Sequence, residues 1–146
     1  MKFASDDAIS LADFRSLAEF RYQLRRFTRF SEQAVRAVGL EPQQHQLLLA
    51  VKGLPEGKIA TVGTLADRLQ IEHHSAVELI NRLAEKGLVE RRRDETDMRR
   101  VLVSLTASGE ALLHKLSVYH RDELRSTGSA LVHALEELIS ADIDPI

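Results

Sequence analysis

No cysteine occurs among the 146 residues, which removes disulfides, thiolate nucleophiles, cysteine-based zinc sites and thiol redox sensing together. No apolar run approaches the roughly 18–20 residues that a membrane span needs, so the chain is not expected to cross a bilayer. The opening stretch, Met1 to Leu11, carries Ser5, Asp6 and Asp7 in a row and lacks the basic-then-apolar layout of an export signal. With the missing cysteines, that layout points to a cytoplasmic address. Enzyme signatures are missing as well. The stretch from Gly53 to Lys58 has three residues between its glycines rather than four, and Ile59 follows the lysine, so it is not a phosphate-binding loop. His120-Arg-Asp-Glu123 echoes a kinase catalytic-loop triplet without any companion motif, and neither HExxH nor GxSxG is present. No catalytic residue and no cofactor is expected. Of the six histidines, His73 and His74 are adjacent, while His114 and His120 stand six apart, roughly 240° around a helix. Neither pair makes an i, i+4 chelate, and His45, His114 and His120 would converge only by tertiary accident, so no metal site is expected.

Hydrophobic residues make up 44% and charged residues 29%, the ordinary balance of a globular chain of one domain or one domain with a helical annexe. The net charge of −2 argues against a generic nucleic-acid coat. Its distribution says more. From Arg15 to Arg36 the local charge is +4, from Arg82 to Arg100 it is +2, and from Thr106 onward it is −4. Positive charge is concentrated, and an acidic tail conceals it in the total.

Apolar periodicity is helical at both ends. Leu17, Phe20, Leu24, Phe27, Ala34 and Val38 form a seam along a first helix, opened by Ser10 with Asp13 three residues later as a capping box and closed by Gly39. Pro42 suits the first turn of a second helix running to Lys52, with Leu47, Leu48 and Val51 inward. Gly53, Pro55 and Gly57 break the chain into a loop. Thr61 to Leu69 then predicts a helix of about two turns, Gln70 to His73 a tight link, and Ala76, Leu79, Ile80 and Leu83 one face of a further helix ending at Gly87. Two helices so joined form a helix-turn-helix, with small Ala66 at the crossing. After Gly87 the period changes to two: Leu88–Arg93 and Val101–Leu105 read as strands around a polar turn from Asp94 to Met98. A helix-turn-helix followed at once by a hairpin is a winged helix. Thr106 caps a long helix that Gly128 is expected to interrupt, and a last helix carries Leu131, Leu135, Leu138 and Ile139.

The fold class is therefore mainly α with a small β-hairpin wing (α+β). Residues 1–38 read as an N-terminal dimerisation helix, 39–105 as the winged helix-turn-helix lobe, and 106–146 as C-terminal dimerisation helices. Within the lobe the recognition helix is placed at 74–86 and the wing at 88–105. One small domain does not cover all the apolar stripes, so packing of the terminal helices across a two-fold axis is expected, giving an obligate homodimer.

The helix after the turn is the candidate reader of DNA, because a major groove admits one helix whose N-terminal turns reach base edges. His73, His74, Ser75, Glu78 and Arg82 are its polar groups. Ser75 can bind a base or a phosphate, and Glu78 can accept from cytosine N4 while repelling phosphate; an exposed polar face of an ordinary helix is the plain alternative. In the wing, Arg91, Arg92 and Arg93 precede the turn and Arg99 and Arg100 follow it. Such a cluster repels itself, and an anionic partner relieves it. A tip arginine suits a narrow A·T-rich minor groove, with Asp97 placed to hold the Arg99 guanidinium. A solvated hairpin is the alternative reading, weakened by the adjacent helix-turn-helix. Arg21, Arg25, Arg26 and Arg29 along the first helix read as a solvated face beside a dimer seam, with a secondary phosphate contact or an anion-binding rim for a ligand as the alternatives.

Three stretches carry a family resemblance: Gly39-Leu-Glu-Pro-Gln-Gln44, Ile71 through Arg91, and Asp97-Met-Arg-Arg-Val-Leu-Val-Ser-Leu-Thr106-Ala-Ser-Gly109. Together they resemble the MarR family of bacterial winged helix-turn-helix regulators, in the expected order over nearly the whole chain. The resemblance implies a homodimer on a pseudo-palindromic operator in double-stranded DNA. It further implies a regulator that is usually a repressor, released when a small phenolic or anionic effector binds. It places His74, Ser75, Val77 and Glu78 where members contact bases or nearby phosphates, Arg99 on the wing arginine and Asp97 on its salt-bridge partner. Glu78 and Val77 stand where Arg and Thr are frequent in the family. The peroxide-sensing branch, which needs a first-helix cysteine, is excluded, and the zinc-sensing branch is disfavoured. Ligand-pocket candidates implied by the resemblance are Arg15, Arg25, His45 and Tyr119. The alternatives are a winged-helix protein-interaction module and a DNA-binding regulator with no effector.

Overall fold

The computed structural model describes residues 8–140. Ser5, Asp6 and Asp7, with the extreme ends of the 1–38 and 106–146 segments, lie outside the described residues. Seven elements follow in order: α1 (Leu11–Ala37), α2 (Pro42–Lys52), α3 (Val62–Leu69), α4 (His73–Glu85), β1 (Val89–Arg93), β2 (Val101–Leu105) and α5 (Ala107–Ser140). The chain forms two compact units: Glu32–Tyr119, and the residues up to Ser31 together with those from His120 onward.

In the Glu32–Tyr119 unit, Leu47 and Leu48 of α2, Leu65 of α3 and Ile80 and Leu83 of α4 are fully enclosed. Val35 near the end of α1 and Leu113 and Leu116 of α5 join the same core. The compact unit is therefore wider than residues 39–105, because those flanking helix turns supply core side chains. α1 ends where the sequence places its stop. Gly39 adopts a positive φ of 84°, and Leu40 N–H reaches back to the Val35 carbonyl at 3.2 Å. At the start of α2, Glu41 N–H donates to Gln44 Oε1 at 3.0 Å. Thr61 caps α3 by accepting from Thr64 N–H at 3.1 Å.

Gln70 turns left-handed at φ 54° and ends α3. Ile71 and Glu72 complete the link, and α4 begins at His73. α4 buries Ala76, Ile80 and Leu83, leaving its other faces outward. Gly87, at φ 72°, then redirects the chain, and β1 pairs antiparallel with β2 in the register Val89↔Leu105, Arg91↔Val103 and Arg93↔Val101. A third edge joins the wing: Thr61 bridges Leu102, and Val103 N–H donates to the Ala60 carbonyl at 2.9 Å. Thr106 closes the hairpin onto α5, its hydroxyl donating to the Gly87 carbonyl at 2.7 Å and accepting from Gly109 N–H at 3.0 Å.

The expected break at Gly128 does not occur. α5 runs unbroken over 34 residues, because an isolated glycine costs a helix only about 1 kcal/mol, less than its flanking turns return. The plural C-terminal helices of the sequence reading are thus one.

The other unit comprises α1 up to Ser31 and α5 from His120. Ser10 and Asp13 form the expected capping box, with bonds of 2.9 and 3.1 Å. His120 is buried: its Nε2 lies 2.7 Å from Ser31 Oγ, and its ring meets the edges of Phe27 and Phe30 at 6.1 and 6.0 Å. Ala134 is the one fully shielded hydrophobic side chain among the described residues of this unit. Leu11, Phe14, Leu17 and Tyr22 on α1 and Leu124, Val132, Leu135 and Ile139 on α5 are exposed.

Candidate nucleic-acid interface

The first turn of α4 offers His73, His74 and the half-buried Ser75 to solvent, with Val77 half-buried and Glu78 and Arg82 exposed further along. The outward face follows directly from the helical period: with Ala76, Ile80 and Leu83 drawn into the core, 74, 78 and 82 are left on the far side. A groove of about 550 Å³ runs beside this face. Arg36, Glu41 and Gln43 line one side, and Ser75, Glu78 and Arg82 the other. Arg36 is itself paired with Glu32 at 3.6 Å and Glu41 at 3.7 Å.

The five wing arginines have unequal surroundings. Arg91 donates to the Asn81 side-chain oxygen of α4, a contact between β1 and the preceding helix that the sequence reading missed. Arg93 donates to the Met98 carbonyl at 2.9 Å. Arg100 gives Asp94 Oδ2 two bonds, from Nε at 3.1 Å and from a terminal amino group at 2.6 Å. Arg92 projects into solvent. Arg99 is held at its base, where its backbone N–H and Nε donate to Asp97 Oδ1 at 3.1 and 3.2 Å, yet its side chain is 91% exposed.

Asp94 belongs by polarity to the turn from Asp94 to Met98, but it is 7% exposed. Its Oδ1 accepts from Thr96 N–H at 2.9 Å and from the Thr96 hydroxyl at 2.8 Å. Those bonds, with the Arg100 guanidinium beside Oδ2, hold its carboxyl at a pKa of about 2 against 3.8 in an open chain, outweighing the opposing effect of burial. The signal that would have found it is the Asp-x-Thr spacing, which lets a carboxylate bond the backbone two residues on.

The four ligand-pocket candidates fall in different settings. Arg15 and Arg25 are exposed on α1, His45 is buried in α2, and Tyr119 is exposed on α5. None of them lines the groove beside α4. Arg26 stacks its guanidinium over the Tyr22 ring at 5.8 Å, as a solvated arginine on a helix commonly does. Among the described residues, no three His, Asp or Glu side chains gather into a metal-binding group, and no helix is long and apolar enough to cross a membrane.

Residues 38–100 match the sequence pattern of the MarR family. The chain is 33% identical over 107 residues to the organic hydroperoxide resistance transcriptional regulator of Bacillus subtilis (strain 168), covering 66% of this chain and 70% of that one. Among solved structures it is similar to AbsC, a MarR family transcriptional regulator from Streptomyces coelicolor, with a TM-score of 0.74 and 21% identity over 93% of each chain. It is also similar to a mutant of S. aureus MepR bound to an oligodeoxyribonucleotide, with a TM-score of 0.63 and 22% identity, covering 85% of this chain and 89% of that one.

Proposed function

The chain belongs to the MarR family of transcriptional regulators, and we propose that two copies of it bind one stretch of double-stranded DNA, acting through binding and not through catalysis. Each copy lays the N-terminal turns of α4 in the major groove, with His73, His74, Ser75, Val77, Glu78 and Arg82 facing base edges and phosphates. The hairpin beside it directs Arg99 to the flanking minor groove, and Arg92 supplies further charge to the backbone. Residues 39–105 are the DNA-binding lobe in this reading, flanked by dimerisation segments at 1–38 and 106–146. The observation that carries it is the pairing of an outward polar helix face with a wing whose apex holds Arg99 91% exposed.

Homodimerisation is supported by the row of exposed apolar side chains on α1 and α5, which water-facing helices do not ordinarily retain in such density. A chromosomal ligand puts the protein in the cytoplasm. Repression relieved by a small aromatic or anionic effector is supported by the groove of about 550 Å³, where the Arg36 and Arg82 side chains flank Ser75 and Glu78. A molecule bound there competes with DNA for the same face of α4. Without cysteine, any response of this chain to oxidants proceeds by some route other than thiol chemistry.

Fluorescence anisotropy with labelled duplex from upstream of the chain's own gene tests the reading. Binding that weakens steeply with salt is expected, as is a loss of about tenfold or more in Arg99→Ala. Unaltered affinity in that variant removes the wing from the interface. One feature favours a protein-binding wing instead: Met98 at the hairpin apex is 62% exposed. That alternative predicts no duplex binding at all, with the wild-type protein as its own test.

A further inference from the structure

We propose that Asp94 is a positioning residue for the wing: with Arg100 it forms an internal buckle that sets the shape of the 94–100 turn and the direction in which Arg99 leaves it. The proposal rests on the DNA-binding reading and names, within it, residues that act without touching the duplex.

By charge alone the five wing arginines are equivalent, but their acceptors divide them. Arg91, Arg93 and Arg100 already donate to Asn81, the Met98 carbonyl and Asp94. Arg99 is tethered only near its base, so its terminal amino groups face solvent. The buckle is closed by backbone as well as side chains. Asp94 N–H donates to the Arg100 carbonyl at 3.0 Å, and Arg100 N–H donates to the Asp97 carbonyl at 2.9 Å. Asp97 then takes the Arg99 N–H and Nε on one oxygen, while its other oxygen lies 3.9 Å from Arg100 Nε. Asp94 therefore reaches Arg99 through two links, Arg100 and Asp97. A carboxylate buried in so small a hairpin is tolerated only while both of its oxygens stay engaged. Removing the Asp94 charge leaves Arg100 only its longer approach to Asp97 and weakens the Thr96 bonds, and the turn that aims Arg99 is free to open.

Contact and positioning differ in whether their losses add. A cationic contact with the duplex releases counterions, so its loss lowers the log–log salt slope by about 0.9, whereas a residue that acts only by aiming Arg99 costs no more slope or affinity than Arg99 itself and costs little once Arg99 is gone. Arg99→Gln, Arg100→Gln, Asp94→Asn and the double variants Asp94→Asn/Arg99→Gln and Arg99→Gln/Arg100→Gln are compared on one duplex at several salt concentrations. Arg99→Gln is expected to lose about tenfold in affinity together with part of the slope. Arg100→Gln and Asp94→Asn are expected to lose up to a similar factor, with a slope no lower than that of Arg99→Gln. In the Arg99→Gln background, Asp94→Asn is expected to cost less than about twofold, because the residue it positions is gone. A further fall in slope when Arg100→Gln is added to Arg99→Gln overturns the proposal by making Arg100 a phosphate contact in its own right. An equal cost of Asp94→Asn in both backgrounds overturns it by reducing Asp94 to general stability. In the free protein, amide exchange at Thr96 and Arg100 is expected to quicken in Asp94→Asn, and unchanged exchange refutes the buckle whether or not DNA binds. Failure of the wild-type protein to bind any duplex refutes the DNA-binding reading itself.

Discussion

A side chain at position 109 would overlap the Leu88 carbonyl oxygen, an atom fixed by its bond from Thr106 N–H at 3.1 Å. Gly109→Ala pushes the first turn of α5 off the hairpin and is expected to cost about 1–3 kcal/mol, seen as a lower midpoint of urea unfolding. Asp94 gives a prediction of a different kind. Its folded pKa is depressed to about 2 from 3.8, so the unfolded chain takes up the proton first as pH falls. The stability it contributes is full above 3.8 and disappears as pH drops toward about 2. Wild type and Asp94→Asn are therefore expected to converge in thermal stability across that window; a constant gap down to its lower edge contradicts the assignment. Polarity could not single Asp94 out from Glu95 or Asp97, since all three suit a turn. Burial was decided by two bonds from Thr96 and a pair of bonds from a residue six positions away, and composition carries neither.

Helix ends were legible because their causes are local. Ser10 with Asp13, Thr61 and Thr106 each cap from within three residues, and Gly39 and Gly87 stand at positive φ where a side chain is disfavoured. The wing strands were legible from their period of two. Two features were not. The Thr61↔Leu102 bridge is a single residue long and leaves no period to detect. Gly128 carried a breaker's signature, yet the helix on either side of it is long enough to carry it through. Its added Cβ would meet Leu124 Cβ at 3.8 Å, an ordinary contact. Gly128→Ala is accordingly expected to raise stability by about 0.5–1 kcal/mol in thermal unfolding, and a drop of that size contradicts a continuous α5.

For the whole molecule, the winged helix was readable because its core side chains and its turns lie within one contiguous stretch. The fate of the terminal helices was readable only as a surplus of apolar surface. In the residues before Ser31 and after His120, exposed Phe14, Leu17, Leu135 and Ile139 outnumber anything those segments bury for themselves. The wild-type protein is therefore expected to sediment as a dimer at micromolar concentration, with Leu135→Glu weakening self-association by at least about tenfold. A wild-type monomer at that concentration rules the dimer out. The central claim, that two copies grip a duplex through paired α4 helices and Arg99-tipped wings, meets its most direct test in hydroxyl-radical footprinting of the protein on its own upstream DNA. Two protected windows about one helical turn apart are expected, roughly 34 Å or 10–10.5 base pairs centre to centre, with the flanking minor-groove protection lost in Arg99→Ala. A single window, or protection spread evenly along the duplex, contradicts the paired grip.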